Sequence, residues 1–147
     1  MIFLLILAVV LGAAISIYMP MNGAIAKVAG SPIVANVLFY FVGLLTSLAL
    51  LGVFGDFRAV LKLKNLPPLL LLTGVMSALM VLGTIFLLPK LGAGKLFLLQ
   101  IVGQIGMAML VSHFGLLESP QDPITAQKII GAAFLVIGAI ITVARFQ

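Results

Sequence analysis

Four large hydrogen-bonding side chains recur at helical spacing inside runs that are otherwise apolar. Tyr18 and Asn22 stand four residues apart, and so do Gln100 and Gln104. That separation puts both members of a pair on one face of a helix, where a phenol and carboxamides can donate and accept hydrogen bonds without carrying charge. Asn36, Tyr40, Gly43 and Ser47 follow the spacing i, i+4, i+7, i+11, and Thr73, Ser77 and Thr84 keep a similar rhythm with Met80 filling the gap. The chemistry on offer is recognition of a small solute by neutral polar groups. Catalysis has little to build on. The chain has 0 cysteines, 1 histidine and 3 acidic residues, which removes thiolate nucleophiles, thiolate metal sites and disulfides and leaves no histidine cluster. No enzymatic activity, no metal and no cofactor is expected.

The elements that must position these groups follow from composition. Of 147 residues, 64% are hydrophobic and 7% charged, against roughly 25% charged in soluble domains, and the mean hydropathy is +1.40. A water-soluble globule is excluded. The net charge of +5 would point to nucleic acid in a soluble protein, but here the cations are scattered between apolar runs and read as headgroup and topology signals. No nucleic-acid partner is expected. Five apolar runs cover about residues 2–26, 33–54, 67–88, 93–112 and 125–144, each long enough to cross a hydrocarbon core of about 30 Å. They lack the period-two alternation of barrel strands, so helices are the element that satisfies every backbone amide in lipid. The first run has no basic n-region and exceeds a typical signal-peptide h-region, and it is expected to stay as a span. The fold class is therefore an all-α integral membrane protein with five transmembrane helices, a single domain over residues 1–147 with the lipid bilayer as its solvent.

Short connections order the spans. Residues 27–32 (KVAGSP) and 89–92 (PKLG) are punctuated by Gly and Pro and predict tight hairpins, making the first and second spans, and the third and fourth, antiparallel neighbours. Residues 55–66 mix Phe57, Val60, Leu61 and Leu63 with Arg58, Lys62 and Lys64, which suits a stretch at headgroup level. Pro20, between Tyr18 and Asn22, cannot donate to the Ser16 carbonyl and leaves an acceptor free. Small pairs such as Gly12/Ser16, Gly43/Ser47, Gly74/Ala78 and Gly138/Thr142 read as helix-packing glue. In the fifth span Gly131, Leu135, Gly138 and Thr142 make a face without amide or phenol, which reads as scaffold or dimer contact. Lys95 has two readings, an ammonium that snorkels near the start of the fourth span and a substrate or coupling charge that faces an anionic solute. His113 is expected at the interface.

Five crossings divide the basic residues evenly. Arg58, Lys62, Lys64 and Lys128 fall on the side of the N-terminus, and Lys27, Lys90, Lys95 and Arg145 on the other. Lys/Arg excess sets orientation, so this chain carries almost no topological instruction and is expected to insert both ways up. Its natural closed assembly is then an antiparallel dimer of about ten helices, with the geometry of the inverted repeats of secondary transporters.

Over nearly its whole length the chain resembles the YdcZ-like five-helix family of the drug/metabolite transporter superfamily. The resemblance is carried by Asn22, the Gly30-Ser31-Pro32 turn with Ala35, Gly43, Leu88-Pro89, Leu91-Gly92-Ala93, Gly103-Gln104, His113-Phe114-Gly115, and Gly131 and Gly138. It implies a multi-pass protein of the bacterial inner membrane that works as an antiparallel dimer, either from one dual-topology chain or from a paired homologous chain. The sequence departs from the family pattern at Tyr18, Lys95 and Ser112. The related four-helix multidrug exporters use a membrane-embedded glutamate, for which this sequence has no counterpart.

The functional expectation is an exporter of a small-molecule solute, working by alternating access as a homodimer, with Tyr18, Asn22, Tyr40, Gln100 and Gln104 as substrate-binding residues. The competing expectation is a non-transporting membrane subunit whose polar stripes bind a larger membrane partner. A passive pore is less well supported, because rings of charge are absent from the spans.

Overall fold

A computed structural model describes residues 1–144; Arg145, counted in the charge balance above, lies outside them. Among the described residues all regular structure is helical. Five helical segments are long and apolar enough to cross a bilayer. They are α1 (Ile2–Ala29), α2 (Pro32–Phe54), the span Pro68–Leu91, α5 (Ala93–Phe114) and α6 (Ala126–Val143), with a short α3 (Phe57–Leu61) after α2. The third span consists of one 3-10 turn, Pro68–Leu71, running into α4 (Leu72–Leu91). The chain divides into two compact units, Met1–Lys90 and Leu91–Gln147.

In the first unit α1 and α2 pack as a helical hairpin. The turn is shorter than the sequence predicts, because Lys27 to Ala29 complete the last turn of α1. A lysine in the last turn of a helix faces the negative end of its dipole and is favoured there. Gly30 then takes the left-handed conformation (φ 67°, ψ 10°) and donates its N–H to the Ala26 carbonyl, an ending that glycine adopts without a Cβ clash. Ser31 caps α2 by accepting the Val34 N–H at 3.4 Å. Pro32 follows at the first helical position, where its missing donor costs nothing.

The third span also outruns its expected end. It continues through Pro89 and Lys90 to Leu91, because the fixed φ of proline suits a helix and its missing N–H forfeits one bond in the final turn. The connection to α5 is reduced to Gly92 (φ 76°). Between α2 and the third span, Asp56 caps α3 by accepting the Arg58 N–H at 2.9 Å. The chain then winds through a 3-10 turn at Lys62–Asn65, with Phe57, Leu61 and Leu63 exposed.

Most apolar side chains of the unit face outward, as they must when the solvent is hydrocarbon. The buried set is small: Met19 and Asn22 on α1, Ala35 on α2, and Val81, Thr84 and Ile85 on α4. α1 and α4 come into tight contact at Gly23, where an added Cβ would fall 2.7 Å from Cδ2 of Leu88. The glycines expected as packing glue behave differently. A Cβ at Gly12, Gly43 or Gly74 would meet nothing within 4 Å, and the Ser16 hydroxyl turns back to the Gly12 carbonyl of its own helix at 3.4 Å. A hydroxyl satisfied by its own backbone has no need of a neighbouring helix.

The second unit is an antiparallel pair, α5 and α6. α5 runs to Phe114, two residues further than expected, because Gly115 (φ 60°) supplies the left-handed stop. The connecting loop folds back on this end. The Asp122 N–H donates to the Ser112 carbonyl at 2.9 Å and the Ile124 N–H to Nδ1 of His113 at 3.1 Å. Thr125 caps α6 by accepting the Lys128 N–H at 3.4 Å. Among the described residues, the face of α6 read as packing surface is open at its glycines. Gly131 and Gly138 have open space where a Cβ would sit, the Thr142 hydroxyl bonds its own helix at the Gly138 carbonyl, and the buried residue is Ala139.

Candidate functional site

The candidate site is built around Asn22. The residue lies on α1 one turn after Tyr18, is 2% exposed, and neither Nδ2 nor Oδ1 has a hydrogen-bond partner among the described residues. Leaving a buried polar group unpaired costs about 1 to 3 kcal/mol, more in hydrocarbon, so an amide held this way needs a reason. Asn22 lines a cavity of about 500 Å³ between α1 and α2, together with Tyr18, Met21, Phe39, Gly43, Thr46 and Ser47. No charged side chain is among the described residues that line it. The Tyr18 ring stacks on Phe39 with centroids 5.8 Å apart and planes at 21°, and Phe39 meets Tyr40 edge-on at 5.2 Å. An aromatic wall and an unpaired carboxamide thus face one neutral space, suited to a solute with an apolar body and a donor-acceptor edge.

The polar stripe of α2 divides its work. Gly43 and Ser47 line the cavity, whereas Asn36 and Tyr40 turn to α4. Nδ2 of Asn36 donates to the Ala78 carbonyl at 3.3 Å, and the Tyr40 hydroxyl shares a 2.6 Å hydrogen bond with the Ser77 hydroxyl. Tyr40 therefore stands beside the cavity through Phe39 and ties two helices with its phenol. Oδ1 of Asn36 is buried without a hydrogen-bond partner among the described residues.

In the second unit Gln100 is half-buried and Gln104 exposed on α5. Lys95 is part-buried, and its ammonium donates to the Val143 carbonyl at 3.2 Å, so it caps the C-terminal end of α6, where carbonyls have no intrahelical partner. Lys128 forms an ion pair with Asp122 and also donates to the Pro123 carbonyl at 2.8 Å. His113 holds the loop by accepting the Ile124 N–H at Nδ1.

Tyr18 and Asn22 thus share one cavity, Tyr40 adjoins it, and Gln100 and Gln104 belong to the other unit. Phe39, Met21 and Thr46 were missed by the sequence reading. Phe39 and Met21 carry no polar signal that would separate a cavity wall from a lipid-facing residue, while Thr46, one position before Ser47, lay outside the i, i+4 frame chosen for α2. The Thr46 hydroxyl donates to the Val42 carbonyl at 2.9 Å, so its hydrogen bond is made within its own helix.

No curated protein and no solved structure matches the chain. One family does, under the description "Putative inner membrane exporter, YdcZ", over residues 3–141. That match spans all five crossing segments up to the last turn of α6, and it supports transport across the inner membrane as the activity. The chain, a multi-pass inner-membrane protein, belongs to the YdcZ family of inner-membrane exporters.

Proposed function

We propose that the protein exports a small neutral solute carrying adjacent hydrogen-bond donor and acceptor groups, and that Asn22 recognises it. The observation that carries this reading is a carboxamide buried to 2% exposure with both polar atoms unpartnered on a cavity of about 500 Å³. A solute that offers one donor and one acceptor satisfies both atoms at once, and its apolar body rests on the Tyr18 and Phe39 rings. A permanent cation is a poor candidate, because the cavity has no carboxylate to neutralise it. Tyr40 shapes the wall from behind. Gln100 and Gln104 offer the same chemistry from the second unit and are candidates to be tested separately, as is Lys95 for an anionic group.

The proposed mechanism is alternating access in an antiparallel homodimer of the one domain, 1–147, with a paired homologous chain as the variant assembly. The equal division of cations supports dual insertion, and the open glycine faces of α1, α2, α4 and α6 leave room for a second chain. Two oppositely inserted copies would interconvert between equivalent inward-open and outward-open states, which is the logic of inverted repeats.

Purified protein in liposomes, screened against small amides, ureas and lactams, tests the function. The expected result is saturable flux of some of these solutes, lost in Asn22→Leu while assembly is retained. Absence of flux in the whole screen, together with a stoichiometric membrane partner at purification, would replace the transporter with the subunit reading. Dual insertion is tested by labelling a cysteine introduced at the C-terminus, the chain having 0 of its own. Labelling from both faces of intact cells is expected, and labelling from one face alone leaves a heteromeric pair.

A further inference from the structure

A second cavity of the first unit lies where the last turns of α1 and α4 come together. Its volume is about 580 Å³, and it shares no lining residue with the Asn22 cavity. Gly23, Ala26 and Leu88 line its body, with Phe86, Lys27 and Lys90. Gly23, Ala24 and Ala26 make its α1 wall an apolar trough of small residues, faced by Ile85 and Leu88 of α4. The two lysines occupy the last turns of α1 and α4, so they sit at the same end of the trough, at the level where a span meets the headgroups.

Among the described residues neither ammonium has a carboxylate partner. The ion pair among the described residues is Lys128 with Asp122, and none of the chain's 3 acidic residues lines the cavity. The Lys90 ammonium instead rests over the Phe86 ring, 3.4 Å from its centroid, a cation-π contact that orients the charge without neutralising it. Two uncompensated cations above a carbon-walled trough complement a molecule whose anionic head is continuous with a hydrocarbon chain. A small soluble anion would leave the apolar walls uncovered, and a zwitterionic lipid brings a cation of its own to the same place.

We propose that this cavity is a binding site for an anionic phospholipid, its phosphate between Lys27 and Lys90 and one acyl chain along the trough beside Gly23 and Ala26. Basic pockets between spans hold such headgroups through the same physics, each lysine adding to the attraction of an anionic surface. Because the lipid would lie against both α1 and α4, the inner-membrane lipid itself would help hold those helices together at the end where they meet.

Native mass spectrometry of the full chain in detergent, titrated with phosphatidylglycerol or with phosphatidylcholine of the same acyl chains, tests the site. Preferential retention of phosphatidylglycerol is expected. The double variant K27Q/K90Q should lower that preference roughly ten- to thirtyfold, whereas K62Q/K64Q, which removes two cations outside the cavity, should leave it unchanged. A26L, which keeps both lysines and fills the trough, should weaken binding as well; the decision rests on the lysine variants, whose side chains are exposed and whose loss leaves the packing intact. The proposal is overturned by equal retention of the two lipids, by an unchanged preference in K27Q/K90Q, or by an equal fall in K62Q/K64Q. Displacement of phosphatidylglycerol by millimolar inorganic phosphate would assign the lysines to a soluble anion instead. A disulfide between copies of Ala24→Cys that persists in excess lipid would assign the trough to a second chain.

Discussion

The two units of this chain treat their polar groups in opposite ways. In Leu91–Gln147 the chemically strongest side chains are engaged in holding a helical pair and its loop: Lys95 on the Val143 carbonyl, Lys128 on Asp122 and Pro123, His113 on the Ile124 amide. In Met1–Lys90 the corresponding capacity is left open, in the buried Asn22 amide and in Oδ1 of Asn36, and in two lysines without acids. Satisfied polar groups specify structure, whereas unsatisfied buried ones raise the free energy of the empty protein and lower it again when a ligand supplies the missing partners. The contrast supports the proposal that recognition belongs to the first unit, while the polar residues named in the second hold structure.

Four substitutions would break or sharpen this contrast. The largest effect is expected from Asn22→Leu, an isosteric change that removes the unpaired amide. Solute flux should fall at least tenfold, while thermal stability in detergent holds or rises by about 1 kcal/mol; a strongly destabilised variant with normal flux would make Asn22 a structural residue. Next is Lys95→Met, which removes a cap from α6 and should lower stability by about 1 kcal/mol with little change in flux. Loss of flux at unchanged stability would instead revive Lys95 as the charge that meets a solute. Tyr40→Phe deletes one interhelical hydrogen bond, worth about 0.6 kcal/mol in a membrane, and a modest drop in unfolding temperature without a change in solute selectivity is expected. Smallest is Lys128→Gln, because its partner Asp122 is 67% exposed and an exposed pair contributes about 0 to 1 kcal/mol. Raising the ionic strength should erase the difference from the parent chain, and a persistent deficit would point to the Pro123 carbonyl contact instead.

The spans were legible because lipid imposes a simple rule, a continuous apolar run of about 20 residues, and each of the five runs coincides with most of one crossing helix. The ends were less legible. Lys27 and Pro89 look like loop residues by type, yet a lysine stem can lie along a helix end and a proline can occupy a final turn, so α1 and α4 both continue past them. At the candidate site, the i, i+4 spacing was enough to place Tyr18 and Asn22 on one face, but periodicity names a face and not its neighbour. It could not show that Tyr40 bonds Ser77, that the hydroxyls of Ser16 and Thr142 close on their own helices, or that the tight contact falls at Gly23 rather than at the glycines of the small-residue pairs. Those outcomes depend on which helix stands opposite, which no single run encodes.

The way α1 is held has a consequence for motion. Asn36 and Tyr40 tether α2 to α4 by directional bonds, but among the described residues no side chain of α1 hydrogen-bonds to another helix. Its grip on its neighbours is shape alone, and dispersion contacts surrendered to a neighbour are regained from lipid tails after a small shift. α1 can therefore slide or roll by fractions of a turn without any bond having to break first, carrying Asn22 with it. If α1 carries the gate of the proposed transport cycle, such a bearing would let it open at low activation energy, and its rate should respond to the viscosity of the surrounding lipid more than to pH or salt.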